Sequence, residues 1–260
     1  MPPINRAPRL LFWLLPLLPI ALGLGLFVSH QQVSSFLVLN EASQILPNWA
    51  WAAFTYLGNG WGLFAITFPL LIFAPRALSA GIFAGALTAV ISSILKPLLS
   101  LPRPSGVLAE GSFFRFGDML LTNSMPSGHT LTAFAVATAI FFCAKQTLRT
   151  PLLLLFLLAI LVGISRSALG VHWLSDVLVA AGLGFWCGLI GAYLADKIPR
   201  KQLLANGWWP RFIALGGLIT IYILLNTSLD FAENQYLQNL GVMLIFLTLI
   251  VFGLRQKTSA

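Results

Sequence analysis

Apolar positions in this chain are gathered into long runs, and the polar residues sit between them. Eight stretches stand out: about Leu10–Val28, Trp49–Ala74, Ala77–Leu101, His129–Ala144, Pro151–Ile164, Leu174–Ala195, Phe212–Asn226 and Leu237–Leu254. A helix of roughly 20 apolar residues crosses the hydrocarbon core of a bilayer, so each run predicts a membrane helix. The first run follows Arg6 and Arg9. It is too long for a secretory signal core and lacks a small-residue cleavage site, which makes it a retained signal anchor. The second is interrupted by Gly58-Asn59-Gly60, so its first part reads as an interfacial helix held by Trp49, Trp51 and Tyr56. Gly81-x-x-x-Gly85 and Gly184-x-x-x-Gly188 suit close helix packing within the chain. A polar connection, Pro102–Ser127, separates the third and fourth runs. The expectation is an all-α, polytopic membrane bundle of about eight transmembrane helices. It forms one unit over residues 1–260, with an additional hairpin at about 212–254.

Composition narrows the class. Hydrophobic residues make up 58% of the chain and charged residues 8%, where soluble domains carry about a quarter charged. That is too little charge to coat a water-facing surface and too much apolar material for disorder. The net charge of +8 would suggest nucleic acid in a soluble protein, but a nucleic-acid site needs a clustered basic face. Eight spans instead sort the charges by side. Arg6, Arg9, Arg76, Lys145, Arg149, Lys197, Arg200, Lys201, Arg211, Arg255 and Lys257 share one set of ends, which the positive-inside bias makes cytoplasmic along with both termini. Six of the seven acids, Glu41, Glu110, Asp118, Asp176, Asp230 and Glu233, fall on the other side. The excess is a topology signal and requires no nucleic-acid partner, and no obligatory protein partner is evident. Cys143 and Cys187 lack metal-ligand spacing and read as small packing residues.

Four basic residues, Lys96, Arg103, Arg115 and Arg166, break the pattern by lying on the outer side. Charges at the membrane are costly and mark function by default. Arg115 is the exception: it either contacts a lipid phosphate or pairs with Glu110 or Asp118 in the outer loop, and the structural pairing is favoured. The other three share their face with His129 and His172, and three converging cations suit a multiply charged oxyanion such as phosphate. Met125-Pro126-Ser127-Gly128-His129 opens a helix whose amide N–H groups and dipole favour the same anion. Gly128 allows the backbone to approach it closely. Asp176 follows His172 by four residues, one face of a helix, and a histidine backed by a carboxylate is an oriented nucleophile or base. His129 is then placed to protonate a leaving group. No HExxH, carboxylate cluster or Cys/His quartet calls for a metal. His30 has no partner and reads as structural. Trp208-Trp209 reads as an interfacial anchor, and the sequon Asn226-Thr227-Ser228 as chance.

These residues carry a resemblance to the type 2 phosphatidic acid phosphatase superfamily of membrane lipid phosphatases. Its three signatures occur in order as Lys96-x6-Arg103-Pro104, Pro126-Ser127-Gly128-His129 and Ser165-Arg166-x5-His172-x3-Asp176. The resemblance implies a six-helix phosphatase core and a metal-independent, cofactor-free hydrolase. In it His172 takes the phosphoryl group, Asp176 holds its ring, and His129 protonates the leaving oxygen. Lys96, Arg103, Ser127, Gly128 and Arg166 hold the phosphate. The substrate class it implies includes polyprenyl diphosphates, phosphatidylglycerol phosphate, phosphatidate and lipid A, met at the periplasmic face of a bacterial inner membrane. A lipid phosphotransferase would use the same residues, and a transporter or lipid-binding protein is the alternative of a different class.

Overall fold

The computed structural model describes residues 10–258, which are helices and connections without a strand. Arg6 and Arg9 lie outside the described residues. The helices are α1 (Leu10–Leu14), α2 (Leu17–Val28), α3 (Gln32–Ala42), α4 (Asn48–Tyr56), α5 (Gly60–Thr67), α6 (Leu70–Phe73), α7 (Pro75–Leu99), α8 (Gly128–Cys143), α9 (Arg149–Leu152), α10 (Leu154–Ala168), α11 (Leu174–Asp196), α12 (Trp208–Asn226) and α13 (Gln235–Thr258).

Among the described residues, six segments are long and apolar enough to cross a membrane: Leu10–Val28, Pro75–Gly106, Gln146–Ala168, Leu174–Asp196, Arg200–Asn226 and Ala232–Lys257. The protein is an integral membrane protein. The other two expected spans are altered, and each for a visible reason. The run Trp49–Ala74 is broken into α4, α5 and α6. Asn59 has an extended backbone and its side chain accepts from the Trp61 and Gly62 amides, so it starts α5 as a new helix. Pro69 starts α6 and Pro75 starts α7, so the remainder of the run is divided as well. α8 has only 16 residues, roughly 24 Å at 1.5 Å per residue against a hydrocarbon core of about 30 Å. α3, which the apolar pattern did not predict, joins α2 to the broken segment.

α8 and α11 form the centre, with α7, α10 and α2 packed around them. The small residues of α11 explain how close these helices come. A Cβ on Gly184 would collide with the Leu131 carbonyl and one on Gly188 with Thr138, while one on Gly191 would stand 2.5 Å from the Ala80 carbonyl. The Gly184-x-x-x-Gly188 motif thus packs helices within the chain. Gly81-x-x-x-Gly85 does not, since Gly85 meets nothing within 4 Å; both glycines line a cavity instead. α12 and α13 pair with each other and lean on α5. Their core contains Phe68, Ile213, Leu224 and Ile245, all essentially buried.

The basic helix ends meet on one side. Arg76 donates to the Ala195 and Ile198 carbonyls and lies 3.6 Å from Asp196, and Arg255 donates to the Ile72 carbonyl at 3.0 Å. The opposite ends carry the site.

Candidate active site

The site is assembled where α7 ends and α8 and α11 begin, with the last turn of α10 as its fourth wall. α10 stops at Ala168, and Gly170 (φ +76°) turns the chain back under the loop that holds Phe114. A Cβ there would stand 2.6 Å from the Phe114 carbonyl, so only glycine fits this turn. The turn delivers His172, whose amide donates to the Arg166 carbonyl at 3.1 Å and whose carbonyl accepts from Ser167 Oγ at 3.0 Å. His172 itself is 2% exposed.

His172 precedes α11, so its contact with Asp176 does not come from sharing a helix face. Trp173 is the N-cap and Asp176 the third helical residue, whose carboxylate turns back to accept from the Trp173 amide at 3.0 Å. The same Oδ2 accepts from Ser124 Oγ and lies 3.2 Å from His172 Nδ1. Arg103 Nη1 stands 3.2 Å from the other ring nitrogen, Nε2. A guanidinium has no acceptor, so that contact requires a lone pair on Nε2. The ring proton is then on Nδ1, donated to Asp176. Arg103 is held in turn by the carbonyls of Thr122 (2.8 Å), Asn123 (3.3 Å) and Val171 (3.3 Å). Burial holds the His172 pKa well below the ordinary histidine value, and Arg103, Arg166, Lys96 and His129 push it the same way. A neutral imidazole with its Nε2 lone pair toward Arg103 satisfies both contacts.

Arg166 is buried on the last turn of α10. Its Nη1 donates to Thr55 Oγ1 at 3.2 Å, and Thr55 pairs with Ser165 Oγ at 2.8 Å. The Arg166 Nε has no hydrogen-bond partner among the described residues, a costly arrangement for a buried donor and one suited to an anion. Lys96 lies in the last turn of α7, and a Cβ built on Gly128 would be 3.9 Å from its Nζ. Ser127 is the N-cap of α8 but makes no side-chain cap. Its hydroxyl accepts from Thr130 at 3.0 Å, which leaves the Ser127 O–H to donate. Its amide is engaged by the Asp176 carbonyl at 3.3 Å, so the helix offers the N–H groups that follow Ser127.

The structure thus brings Lys96, Arg103, Ser127, Gly128, His129, Arg166, His172 and Asp176 together, and of these Lys96, Gly128 and His129 line a pocket. Sequence reasoning missed several neighbours. His129 Nε2 lies 2.9 Å from Asp230 Oδ1, and Asp230 Oδ2 accepts from Asn59 Nδ2 at 2.9 Å. Burial raises the Asp230 pKa, but His129, the hydrogen bonds and Arg166 outweigh it and bring the carboxyl down to about 2. Asp230 is 101 residues from His129, beyond any motif. Only the Gly58-Asn59-Gly60 break hinted that a polar group was wanted here. Arg115 pairs with Glu110 (3.4 Å) and the Gly117 carbonyl (3.0 Å), the structural role expected of it. Among the described residues no three His, Cys, Asp or Glu side chains gather as metal ligands.

From the pocket an apolar cavity of about 720 Å³ descends between α5, α7, α8 and α12. Lys96, Gly128 and His129 stand at its polar mouth, and Phe212 and Trp209 at its far end. Trp209 is therefore more than an interfacial anchor: it is wedged between Phe83 and Phe212 and donates to Ser79 Oγ at 2.7 Å.

Known proteins are similar to this chain in sequence and fold. The pattern defining the PAP2 superfamily matches residues 76–200. A lipid A 1-phosphatase of Porphyromonas gingivalis is 38% identical over 36% of this chain and 22% of its own length. The chain spans between 22% and 57% of the length of the curated relatives it matches. The Bacillus subtilis transmembrane PAP2-type phosphatidylglycerolphosphate phosphatase shares the fold, with a TM-score of 0.52 at 22% identity over 73% of this chain and 96% of that one. The crystal structure of Aquifex aeolicus LpxE aligns with a TM-score of 0.55 at 33% identity, over 63% of this chain and 95% of LpxE. At 33% identity along 95% of LpxE, this chain belongs to the PAP2 superfamily.

Proposed function

We propose that the protein is a metal-independent lipid phosphatase of a bacterial inner membrane. It removes a terminal phosphate from a lipid through a phosphohistidine on His172, at the periplasmic face. The carrying observation is the pairing of the His172 ring: Nδ1 lies 3.2 Å from Asp176 Oδ2, and Nε2 lies 3.2 Å from Arg103 Nη1. That is a nucleophile aimed at a phosphate site.

In the first half-reaction the Nε2 lone pair forms a bond to phosphorus while the phosphorus–oxygen bond to the lipid breaks. The leaving oxygen keeps the electron pair and takes a proton from His129. Lys96, Arg103 and Arg166 hold the equatorial oxygens with the Ser127 hydroxyl and the Gly128 amide, and Asp176 balances the charge on the ring. In the second half-reaction a water attacks phosphorus and gives its proton to His129, and the N–P electron pair returns to Nε2. Positioning and preorganised charge are what phosphoryl transfer demands.

The cavity supports a lipid as substrate, because its walls are apolar and its mouth holds the reacting groups. Polyprenyl diphosphates, phosphatidylglycerol phosphate, phosphatidate and lipid A remain the panel, and the names of the relatives put the lipid A 1-phosphate first. The test is phosphate release by the purified protein in detergent with EDTA present. Release that His172→Ala abolishes supports the proposal, and release undiminished by that change refutes it. Label appearing on a second lipid would identify a phosphotransferase.

A further inference from the structure

The α12–α13 hairpin lies outside all three motifs, yet its connecting turn reaches the site. The turn is held rigidly. Gln238, fully buried on α13, accepts from the Leu229 amide at 3.0 Å and donates to the Leu224 and Thr227 carbonyls at 2.9 and 2.7 Å. Phe231 stacks on Phe116 with centroids 5.3 Å apart, and a Cβ on Gly117 would stand 2.6 Å from its ring. Between these anchors Asp230 takes a left-handed backbone (φ +58°), which costs a non-glycine residue energy and is kept where surroundings impose it. The result is a carboxylate aimed at His129 and clamped from behind by Asn59.

We infer that Asp230 is a positioning residue for the acid–base histidine, and that the hairpin's turn thereby completes the active site. This rests on the phosphatase reading of the same pocket. With Nε2 engaged by Asp230, the proton His129 offers a leaving oxygen is the one on Nδ1. After transfer the ring is neutral, with Nε2–H still donated to Asp230 and a lone pair on Nδ1, which is the state needed to take the proton of the incoming water. The site then holds two His–Asp pairs of opposite sense. Asp176 fixes His172 with Nε2 unprotonated, and Asp230, by engaging Nε2 of His129, leaves Nδ1 for the substrate. The carboxylate also answers a charge problem. Burial disfavours an imidazolium at His129, and Arg166 from α10 and Lys96 from α7 push the same way. Asp230 is the group that opposes them, and the Tyr56 hydroxyl of α4 feels that same carboxylate. Asp230, ionised throughout the working pH range, supplies the opposing charge.

The experiment compares wild type, Asp230→Asn, Asp230→Glu and His172→Ala on two monoesters, dodecyl phosphate and nitrophenyl phosphate. A nitrophenolate leaves without protonation and an alkoxide does not, so a defect in the acid is read in the difference. Asp230→Asn is expected to lower kcat on dodecyl phosphate by about 100-fold, a typical share for general acid catalysis. Its loss on nitrophenyl phosphate is expected to be at least tenfold smaller, KM to stay within threefold, and Asp230→Glu to recover part of the rate. A hydrogen-bonded imidazole N–H resonance of His129, seen by NMR of ¹⁵N-histidine protein in micelles, is expected in wild type and lost in Asp230→Asn. Equal losses on both esters would make Asp230 a fold residue only, and an unchanged rate on both would remove it from the site. Either outcome overturns the inference while His172→Ala still reports on the phosphatase reading. If wild type releases no phosphate, that reading fails. The resonance then decides the His129–Asp230 pairing alone.

Discussion

Replacing Asp176 by asparagine keeps the shape of the site and removes one charge. The carboxylate Oδ2 serves three donors: His172 Nδ1, the Trp173 amide and Ser124 Oγ. If the new amide nitrogen faces His172, the ring proton must move to Nε2, where Arg103 Nη1 stands 3.2 Å away as a donor opposing a donor. The nucleophilic lone pair is then lost. If the amide oxygen stays in place, the tautomer survives, but the positive charge that develops on the ring as the N–P bond forms has no counter-charge. At the 3.2 Å separation observed and an effective dielectric of ~20, that pairing is worth about 5 kcal/mol. At 1.36 kcal/mol per tenfold, this is a loss in kcat of roughly 10³–10⁴. The carboxylate does not touch the phosphate, so KM should move less than about fivefold. Steady-state phosphate release from the lipid panel measures both, with nitrophenyl phosphate as a check that the pocket still binds an ester. A kcat within tenfold of wild type, or a loss carried mainly by KM, would refute the assigned tautomer and the role of Asp176.

Three further outcomes are expected. The sign of the pH dependence follows from His172: protonation destroys the nucleophile, and burial with four nearby cationic groups holds its pKa well below the ordinary value. The acid limb of kcat/KM should thus fall below about pH 6.5, the unperturbed histidine value, with a basic limb as His129 loses its proton; an acid limb at or above pH 6.5 would contradict the buried, neutral ring. Gly58→Val should misplace His129, because even a Cβ at Gly58 would stand 2.6 Å from Val162 Cγ1 and 2.8 Å from His129 Cβ. Overpacking of this kind costs about 1–3 kcal/mol, and a variant with wild-type rate and thermal midpoint would show that α4–α5 does not support the site. Gly85→Phe places a ring in the cavity at a position with nothing within 4 Å. It should raise KM for long-chain lipid phosphates at least tenfold and leave dihexanoyl phosphatidate within threefold, and equal effects on both would remove the cavity from tail binding.

How much of this was written in the sequence depends on the range of each contact. The long runs α7, α11, α12 and α13 follow from apolar content alone, and the residues of the candidate site from three local motifs. The break of the second run at Asn59 was visible as Gly-Asn-Gly, but its consequence was not: Asn59 caps α5 and also clamps Asp230. The i,i+4 spacing of His172 and Asp176 was right for a different reason, a capping turn in place of a shared helix face. Gly81 and Gly85 follow the small-residue pattern of packed helices, and they line a cavity because α12 stands off from α7 there. Asp230 carried no local signal at all. Its role comes from Gln238 and Phe231 fixing a turn far along the chain, and no pattern of residue types announces such a tertiary contact.

The central claim is that phosphate passes through Nε2 of His172. Nitrophenyl phosphate, which forms the intermediate without help from an acid, should load His129→Ala faster than that variant can hydrolyse the product. Quenching this variant in alkali and locating the modification by peptide mass spectrometry is the most direct measurement. The account predicts an alkali-stable, acid-labile phosphoryl group on His172, absent from His129→Ala combined with His172→Ala. A phosphoryl group on another residue, or rapid phosphate release with no labelled protein at any quench time, would contradict it.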